Sequence, residues 1–157
     1  MGSRHKSRVF TKDDSEPPPP LIGALLRVPY EEVRRRMLEH LHRHGFDDLH
    51  AAHMNVLLYP GPQGKRPSEI TGHSRMSKQA VHHLLNEVER LGYIERQPDP
   101  EDARSKRIAL TRRGEALRIA IRQAVTDVER DWQRQLGARR FAMLKGLLQE
   151  LNASLSR

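Results

Sequence analysis

The chain of 157 residues is long enough for one domain, or for one domain with a dimerising extension, but not for a second large core. With 36% hydrophobic and 31% charged residues it can fold around a core under a strongly charged surface, and the absence of cysteine excludes disulfides, thiolate nucleophiles, cysteine-ligated zinc and sulfur-based redox sensing. The formal net charge of +8 favours a polyanionic partner, either nucleic acid or an anionic membrane surface.

Residues 1–20 predict a disordered N-terminal tail. They combine scattered charges with a proline run, Pro17–Pro20, that fits neither a helix nor the interior of a sheet. Met1–Phe10 lacks the apolar stretch of a secretory signal, and no apolar run in the sequence reaches the roughly 18 to 20 residues needed to cross a bilayer. We therefore expect a cytoplasmic protein with no membrane partner.

The first helical segment covers residues 21–44, where apolar residues recur at helical spacing. Pro29 interrupts the pattern, so we expect a kinked or two-part helix that ends at Gly45. Asp47 or Asp48 is placed to cap a short helix that runs through Leu57. The proline- and glycine-rich residues 59–64 then predict a loop.

A helix-turn-helix pattern follows this loop. Residues 67–71 predict a short helix, residues 72–76 a turn, and residues 77–91 a longer helix that Ser77 caps and Gly92 ends. The longer helix has apolar residues at i, i+3, i+4, i+7 and i+10, which indicates one buried face. The other face is polar and presents Lys78, Gln79, His82, His83 and Asn86.

Two strand-like segments come next, Tyr93–Gln97 and Ser105–Thr111, joined by an acidic turn that contains two prolines. Together they predict a β-hairpin. From Arg112 a long amphipathic helix extends to Gly137, and a final one carries apolar residues from Phe141 to Leu155.

The expected fold class is mainly α with a small β-hairpin wing: a winged helix-turn-helix over residues 45–111, with a helical dimerisation region over residues 21–44 and 112–157. In such an arrangement the second helix enters the major groove, and the hairpin reaches the flanking backbone or minor groove. The candidate DNA contacts are Ser77, Lys78, Gln79, His82 and His83 in the recognition helix, and Asp102, Arg104, Lys106 and Arg107 in the wing.

Positive residues also cluster along the hairpin and its exit, where contacts with phosphates would supply affinity without reading sequence. Arg104 lies at the tip, and an arginine there can enter a narrow minor groove, where the negative potential is strongest. The cluster consists of Arg104, Lys106, Arg107, Arg112 and Arg113.

Three segments, Leu91–Arg96, Asp99–Lys106 and Leu110–Gly114, closely resemble the wing signature of the MarR family, with its helix-ending glycine, its D-P-x-D-x-R turn and its L-T-x-x-G passage into the next helix. The resemblance implies a homodimer built from the first and the last two helices, a pseudo-palindromic DNA operator, and Asp102 as the residue that orients Arg104. It also implies a repressor that a small aromatic effector releases. The sequence departs from the family over residues 64–76, where a more regular helix is expected.

Two alternatives of the same fold stay open. One is a metal-responsive regulator, because His40 and His44 stand at i and i+4 of a helix and His50 and His53 follow nearby. The other is a winged helix that binds RNA or protein. An enzyme is not expected, since the sequence has no cysteine nucleophile, glycine-rich phosphate loop, H-E-x-x-H or G-x-S-x-G motif. No cofactor is expected either.

Overall fold

The computed structural model of the chain describes residues 19–61, 64–74 and 76–155, so all but the last two residues of the predicted N-terminal tail lie outside the described residues. The architecture is mainly helical with one antiparallel hairpin, which confirms the expected fold class. The elements are α1 (Ile22–Arg43), α2 (Met54–Leu57), α3 (Pro67–Ser74), α4 (Lys78–Arg90), β1 (Ile94–Asp99), β2 (Asp102–Leu110), α5 (Arg112–Leu136) and α6 (Ala138–Leu155).

Helix α1 continues through Pro29, so of the two predicted forms, a kinked helix or a helix in two parts, the second is wrong. Proline removes one helical N–H donor and leaves the carbonyl four residues earlier, that of Leu25, without its partner. Both residues lie in the exposed first third of α1, where water can hydrogen-bond that carbonyl. The second half of the helix is held by packing, with Met37 and Leu41 buried.

Helix α2 begins later than the sequence predicts, and neither aspartate caps it. Its N-cap residue is His53, whose side chain makes no capping hydrogen bond. The Asp48 carboxylate instead accepts a hydrogen bond of 2.6 Å from the Tyr93 hydroxyl and lies 3.0 Å from Arg113 Nη2. These interactions lower the pKa of Asp48 and join the segment before α2 to the start of α5.

Helix α3 extends three residues beyond the predicted Thr71, so the predicted turn at residues 72–76 is wrong for Gly72, His73 and Ser74. A glycine inside a helix costs about 1 kcal/mol relative to alanine. Burial of Ile70, which is fully inaccessible to solvent, offsets this cost. The tertiary contact therefore overrides the local preference that favoured a turn.

The hairpin strands are longer than expected and leave only Pro100 and Glu101 between them. Ile94 pairs with Leu110 at one end, and the pairing continues across Pro98 to the tip. The sequence places the end of the first strand before Pro98 because proline cannot donate a ladder hydrogen bond. Within the described residues β1 pairs with β2 alone, and such an edge strand tolerates a proline.

A third backbone segment pairs with the outer edge of β2. The Lys65 amide donates to the Ile108 carbonyl at 3.1 Å, and the Ile108 amide donates back at 2.8 Å. Gly64, immediately before, has a φ of +68°, and a Cβ there would lie 2.8 Å from the Ile108 carbonyl oxygen. The position therefore requires glycine, and the short bridge ties the segment before α3 to the wing.

The core lies between the helix-turn-helix, the hairpin, the second half of α1 and the first half of α5. The predicted apolar face of α4 is buried. It packs with Leu41 of α1, Leu49, Ile70 of α3 and residues of the hairpin. Among the described helices, none is long and apolar enough to span a membrane. The buried α4 residues are Val81, Leu84, Leu85 and Val88.

Candidate nucleic-acid interface

The exposed face of α4 carries all five residues predicted for the recognition helix. Ser77 is the N-cap, and its hydroxyl accepts a hydrogen bond of 3.2 Å from the Ala80 amide. This interaction fixes where the helix begins. Lys78 and Gln79 follow in the first turn, and both are exposed. Because the opposite face is buried, the polar side chains point away from the core on a rigid support.

The two histidines of α4 differ in their partners. His83 Nε2 lies 3.5 Å from Glu87 Oε1, and the other oxygen of Glu87 lies 3.3 Å from Nε2 of the buried His53. His83 thus lies next to Glu87 of the same helix. His82 is exposed and has no hydrogen bond or ion pair within the part of the chain that the structure describes. Of the two side chains, His82 is the freer to reach a base.

The wing turn is organised by Asp102, but through backbone and hydroxyl groups. One carboxylate oxygen accepts a hydrogen bond of 3.0 Å from the Arg104 amide, and the other accepts one of 2.7 Å from the Ser105 hydroxyl. The hydrogen bond from Ser105, followed by that from the Arg104 amide, lowers the pKa of Asp102. The resemblance implies that Asp102 orients Arg104. The contact runs through the backbone amide of Arg104.

The remaining wing residues are placed in different surroundings. Lys106 is exposed and lies opposite Pro98 in the hairpin. Arg107 is only 22% exposed, and its Nε lies 3.2 Å from Asp99 Oδ1 while Nη2 lies 3.5 Å from Glu101. Arg107 is therefore committed to an ion-pair cluster inside the wing. A contact between Arg107 and DNA stays a prediction.

The centre of that cluster is Asp99, which the sequence places in the wing signature but to which it assigns no role of its own. Its side chain is 0% exposed. Its carboxylate accepts hydrogen bonds of 2.5 Å from Arg66 Nε and 3.0 Å from the Glu101 amide. These contacts, the one from Arg66 foremost, lower the pKa of Asp99 to about 2. Arg66 precedes Asp99 by 33 residues, so no local spacing could have revealed the pair.

A second ionic contact attaches the wing to the recognition helix. Arg96 in β1 makes an ion pair with Glu89 of α4, and its Nη2 donates a hydrogen bond of 2.6 Å to Asn86. Asn86 belongs to the polar face that the sequence assigns to the recognition helix. Here it holds the hairpin against the C-terminal half of α4.

The passage from the wing into α5 explains the residues of the L-T-x-x-G motif. The Thr111 hydroxyl accepts a hydrogen bond from the Gly114 amide at 3.1 Å and donates one to the Gly92 carbonyl at 2.6 Å. A Cβ on Gly114 would lie 2.0 Å from the Tyr93 carbonyl oxygen. The threonine caps α5, and the glycine allows the helix to pack directly on the start of β1.

Arg113, which the sequence places in the basic cluster, is also engaged in contacts within the fold although its side chain is partly exposed. Its guanidinium lies over the Tyr93 ring at 4.3 Å from the centroid, its Nη1 donates to the Leu91 carbonyl at 2.6 Å, and its Nη2 pairs with Asp48. Arg113 thus stabilises the junction of α4, β1 and α5. Of the basic cluster, Arg104 and Lys106 keep exposed side chains in the wing.

The four histidines weighed as metal ligands do not assemble into a site. His40 and His44 stack with ring centroids 4.0 Å apart, and the pKa of His40 is lowered, mainly by burial and then by the neighbouring His44. His50 donates its backbone N–H to Nδ1 of the buried His53 at 3.1 Å. Within residues 19–61, 64–74 and 76–155 no three metal-binding side chains converge.

A wide apolar groove lies between the first half of α1 and the helices α5 and α6. The first half of α1 forms one wall, and Trp132 of α5 with Leu144 and Leu148 of α6 forms the other, around a cavity of about 660 Å³. A smaller cavity of about 250 Å³ continues along α5 and α6. Apolar side chains are exposed at the N-cap and in the first part of α1, at Leu21, Ile22, Leu25, Leu26, Val28 and Tyr30, and on α6, at Met143, Leu144, Leu147, Leu151 and Leu155.

The arrangement of α3, a capped polar-faced α4 and a two-stranded hairpin packed beside it defines a winged helix-turn-helix protein. Residues 47–105 match the model of the MarR family. Together with the solved structures described next, this match shows that the chain is similar to winged helix proteins of the MarR type.

Three solved structures illustrate the similarity. Wild-type MarR of E. coli in its apo form is 25% identical, with a TM-score of 0.68 over 84% of this chain and 97% of that one. The transcriptional regulator Tm0710 of Thermotoga maritima is 25% identical, with a TM-score of 0.58 over 86% and 94% of the two chains. S. aureus MepR bound to ethidium bromide shares the fold at 24% identity, with a TM-score of 0.58 over 86% and 96%.

Among curated protein sequences, none matches the chain closely. The solved structures nevertheless bear on the class of activity, because the proteins of this type are transcription regulators rather than enzymes. The fold therefore supports a DNA-binding regulator.

Proposed function

We propose that the chain is a transcription repressor that binds a pseudo-palindromic operator in duplex DNA as a homodimer. The observation that carries the proposal is the exposed polar face of α4, fixed on a buried apolar stripe beside a hairpin with Arg104 at its tip. A helix of this kind fits the major groove of B-form DNA, and the adjacent wing reaches the flanking backbone or minor groove.

The side chains divide into base-reading and positioning roles. Lys78, Gln79 and His82 are exposed in the first half of α4, and their donors and acceptors match those on base edges. Arg104 enters the minor groove beside the recognition helix. Lys106 contacts phosphate.

Three further residues support this surface without reading bases. Ser77 caps the recognition helix, Asp102 shapes the wing turn, and His83 stays with Glu87.

The homodimer is proposed from the apolar surfaces of α1 and α6. A monomer would leave this surface in water, whereas contiguous apolar patches of several hundred Å² on soluble proteins mark interaction sites. The two walls of the groove come from the two ends of the chain, so a second copy related by a two-fold axis can bury both at once. Two-fold symmetry then places two recognition helices on half-sites about one helical turn apart.

The repressor is proposed to be released by a small aromatic ligand. The aromatic residues Tyr30 and Trp132 lie in the apolar groove region, where a planar molecule can stack. MepR bound to ethidium bromide shows that a protein of this fold holds such a molecule. A ligand bound among the dimer helices would change the spacing of the two recognition helices and weaken operator binding.

The proposed function is tested by selecting bound duplexes from a random pool with purified full-length protein, with and without aromatic ligands such as ethidium. We expect enrichment of an inverted repeat in the absence of ligand and a loss of bound duplex in its presence. A protein that sediments as a monomer at micromolar concentration and enriches no duplex at low salt would contradict the proposal.

Arg104→Ala is expected to weaken binding to all duplexes and to reduce the slope of log K against log salt by about 1, as the loss of one cation near the phosphates should. Salt titrations monitored by fluorescence anisotropy measure both quantities. Arg130→Ala removes the same charge from an exposed position on α5 and should leave the slope unchanged. An unaltered slope in the Arg104 variant would remove this residue from the interface.

Gln79→Ala and His82→Ala are each expected to weaken binding to the selected sequence by about 1 to 3 kcal/mol and binding to random DNA by less, because we propose that these side chains contact bases rather than phosphates. Competition binding with both kinds of DNA gives the ratio of the two affinities. The matched control is Gln123→Ala, an exposed glutamine on α5. Equal losses on both DNAs would assign positioning roles to the two residues instead.

A further inference from the structure

Arg66 precedes α3 and is free to reach across to the wing. The Glu69 carboxylate accepts a hydrogen bond of 2.7 Å from the Arg66 amide, as a residue at the third helical position does in a capping box. The side chain of residue 66 is therefore not needed at the helix terminus. Its Nε instead donates to Asp99 at 2.5 Å, and its Nη2 lies 3.4 Å from Glu101.

The buried carboxylate of Asp99 requires a charged partner such as Arg66. Its side chain is 0% exposed at the end of β1, and a buried carboxylate without a partner is strongly unfavourable. One oxygen faces Arg66, and the other accepts from the Glu101 amide and faces Arg107. The conformation of the two-residue turn is thus coupled to the position of the Arg66 guanidinium.

The wing turn determines where the backbone of Arg104 lies. Asp102, the first residue of β2, follows the turn and accepts the Arg104 amide. On the other side of the hairpin, Arg96 ties β1 to α4 through Glu89. The hairpin is consequently anchored to both helices of the helix-turn-helix, with the Arg66 contact nearest the tip.

We propose that Arg66 is a positioning residue for DNA binding: through Asp99 it fixes the wing turn, and thereby Arg104, relative to the recognition helix. This inference rests on the proposed function, and it assigns Arg66 no contact with phosphate. Two arginines, Arg66 and Arg107, face two carboxylates, Asp99 and Glu101, so the cluster has no net charge. Its contribution to DNA binding is geometric.

The sharpest test is Asp99→Asn, because charge and geometry predict opposite results. The substitution makes the wing more positive, so a purely electrostatic role predicts tighter binding to DNA. Loss of the contact with Arg66 should instead weaken binding to the selected operator about tenfold. Tighter or unchanged binding by a folded Asp99→Asn protein would overturn the inference.

A double-mutant cycle tests the same inference with Arg66→Gln, a variant in which the Asp99 carboxylate keeps its ion pair with Arg107. Arg66→Gln should weaken operator binding about tenfold in the wild-type background and have little effect in the Arg104→Ala background. Additive losses would show that Arg66 acts on DNA independently of Arg104 and would overturn the proposal. Lys65→Gln is the control, because it removes a neighbouring charge that has no contact with Asp99. Its effect on operator binding should be the same in the wild-type and Arg104→Ala backgrounds.

Amide hydrogen exchange tests the coupling between Arg66 and the wing turn in the absence of DNA, and it shows at the same time whether the rest of the protein is folded. In Arg66→Gln the amides of Glu101 and Arg104, which bond to the two aspartates, should exchange faster, while those of α4 keep their protection. Unchanged exchange at the turn would contradict the coupling. If the wild-type protein bound no duplex, the proposed function and this inference would both fail. If it bound and the cycle were additive, the role of Arg66 alone would fail.

Discussion

Gly114→Ala is expected to lower the free energy of unfolding by about 3 kcal/mol, the largest effect on stability of any single methyl group that we consider. The added Cβ would lie 2.0 Å from the Tyr93 carbonyl oxygen, a backbone atom that cannot rotate away. Relief requires α5 to move from the start of β1, which would break the hydrogen bonds of Thr111. Urea unfolding followed by circular dichroism measures the change.

Gly72→Ala is the matched control for this prediction. Gly72 lies within α3, and a Cβ added there would have no neighbouring atom within 4 Å. Alanine at this position should stabilise the protein by up to about 1 kcal/mol, since it favours the helix over the unfolded chain. Equal stabilities for the wild type and the Gly114 variant would mean that α5 does not pack on Tyr93 as described.

Leu25→Glu is expected to weaken the proposed homodimer at least about 100-fold, because a carboxylate would enter an apolar contact without a partner. Leu25 lines the groove and is 52% exposed in the single chain. The substitution should therefore leave the protomer folded. Sedimentation equilibrium measures the change in association, and operator affinity should fall with it.

Ile119→Glu provides the comparison for the dimer. Ile119 is 64% exposed on α5 and lines neither of the two cavities. We expect this variant to remain dimeric, since single exposed apolar residues are ordinary features of protein surfaces. A Leu25→Glu protein as dimeric as the wild type would place the interface elsewhere.

The recognition helix was predictable because its signals are local. The N-cap serine, the apolar stripe and the terminating glycine all act within one or two helical turns, and each favours the same helix. The structure has α4 with Ser77 as its cap and the predicted stripe buried. The hairpin was predictable for a similar reason, although the tolerance of an edge strand for Pro98 lengthened it beyond the expected end.

The ionic network of the wing was not predictable, because its partners are distant in sequence. The sequence places Asp99 in the wing signature and Arg107 among the candidate DNA contacts, but only folding brings Arg66 and Arg107 together around the Asp99 carboxylate. The same is true of Asp48, which had the spacing of a helix cap but is engaged by Tyr93 and Arg113. In both cases a tertiary ion pair decides the role that sequence spacing alone leaves open.

Helix α6 packs on α5 but buries little of its own surface in the single chain. Phe141 is its one buried residue within the part of the helix that the structure describes, and Lys145 pairs with Glu129 across an exposed surface. Exposed ion pairs contribute little, and helices with few buried contacts open at low free energy. If the proposed homodimer covers the apolar side of α6, dilution should loosen this helix before it disturbs the winged domain, and the order of α6 should depend on protein concentration.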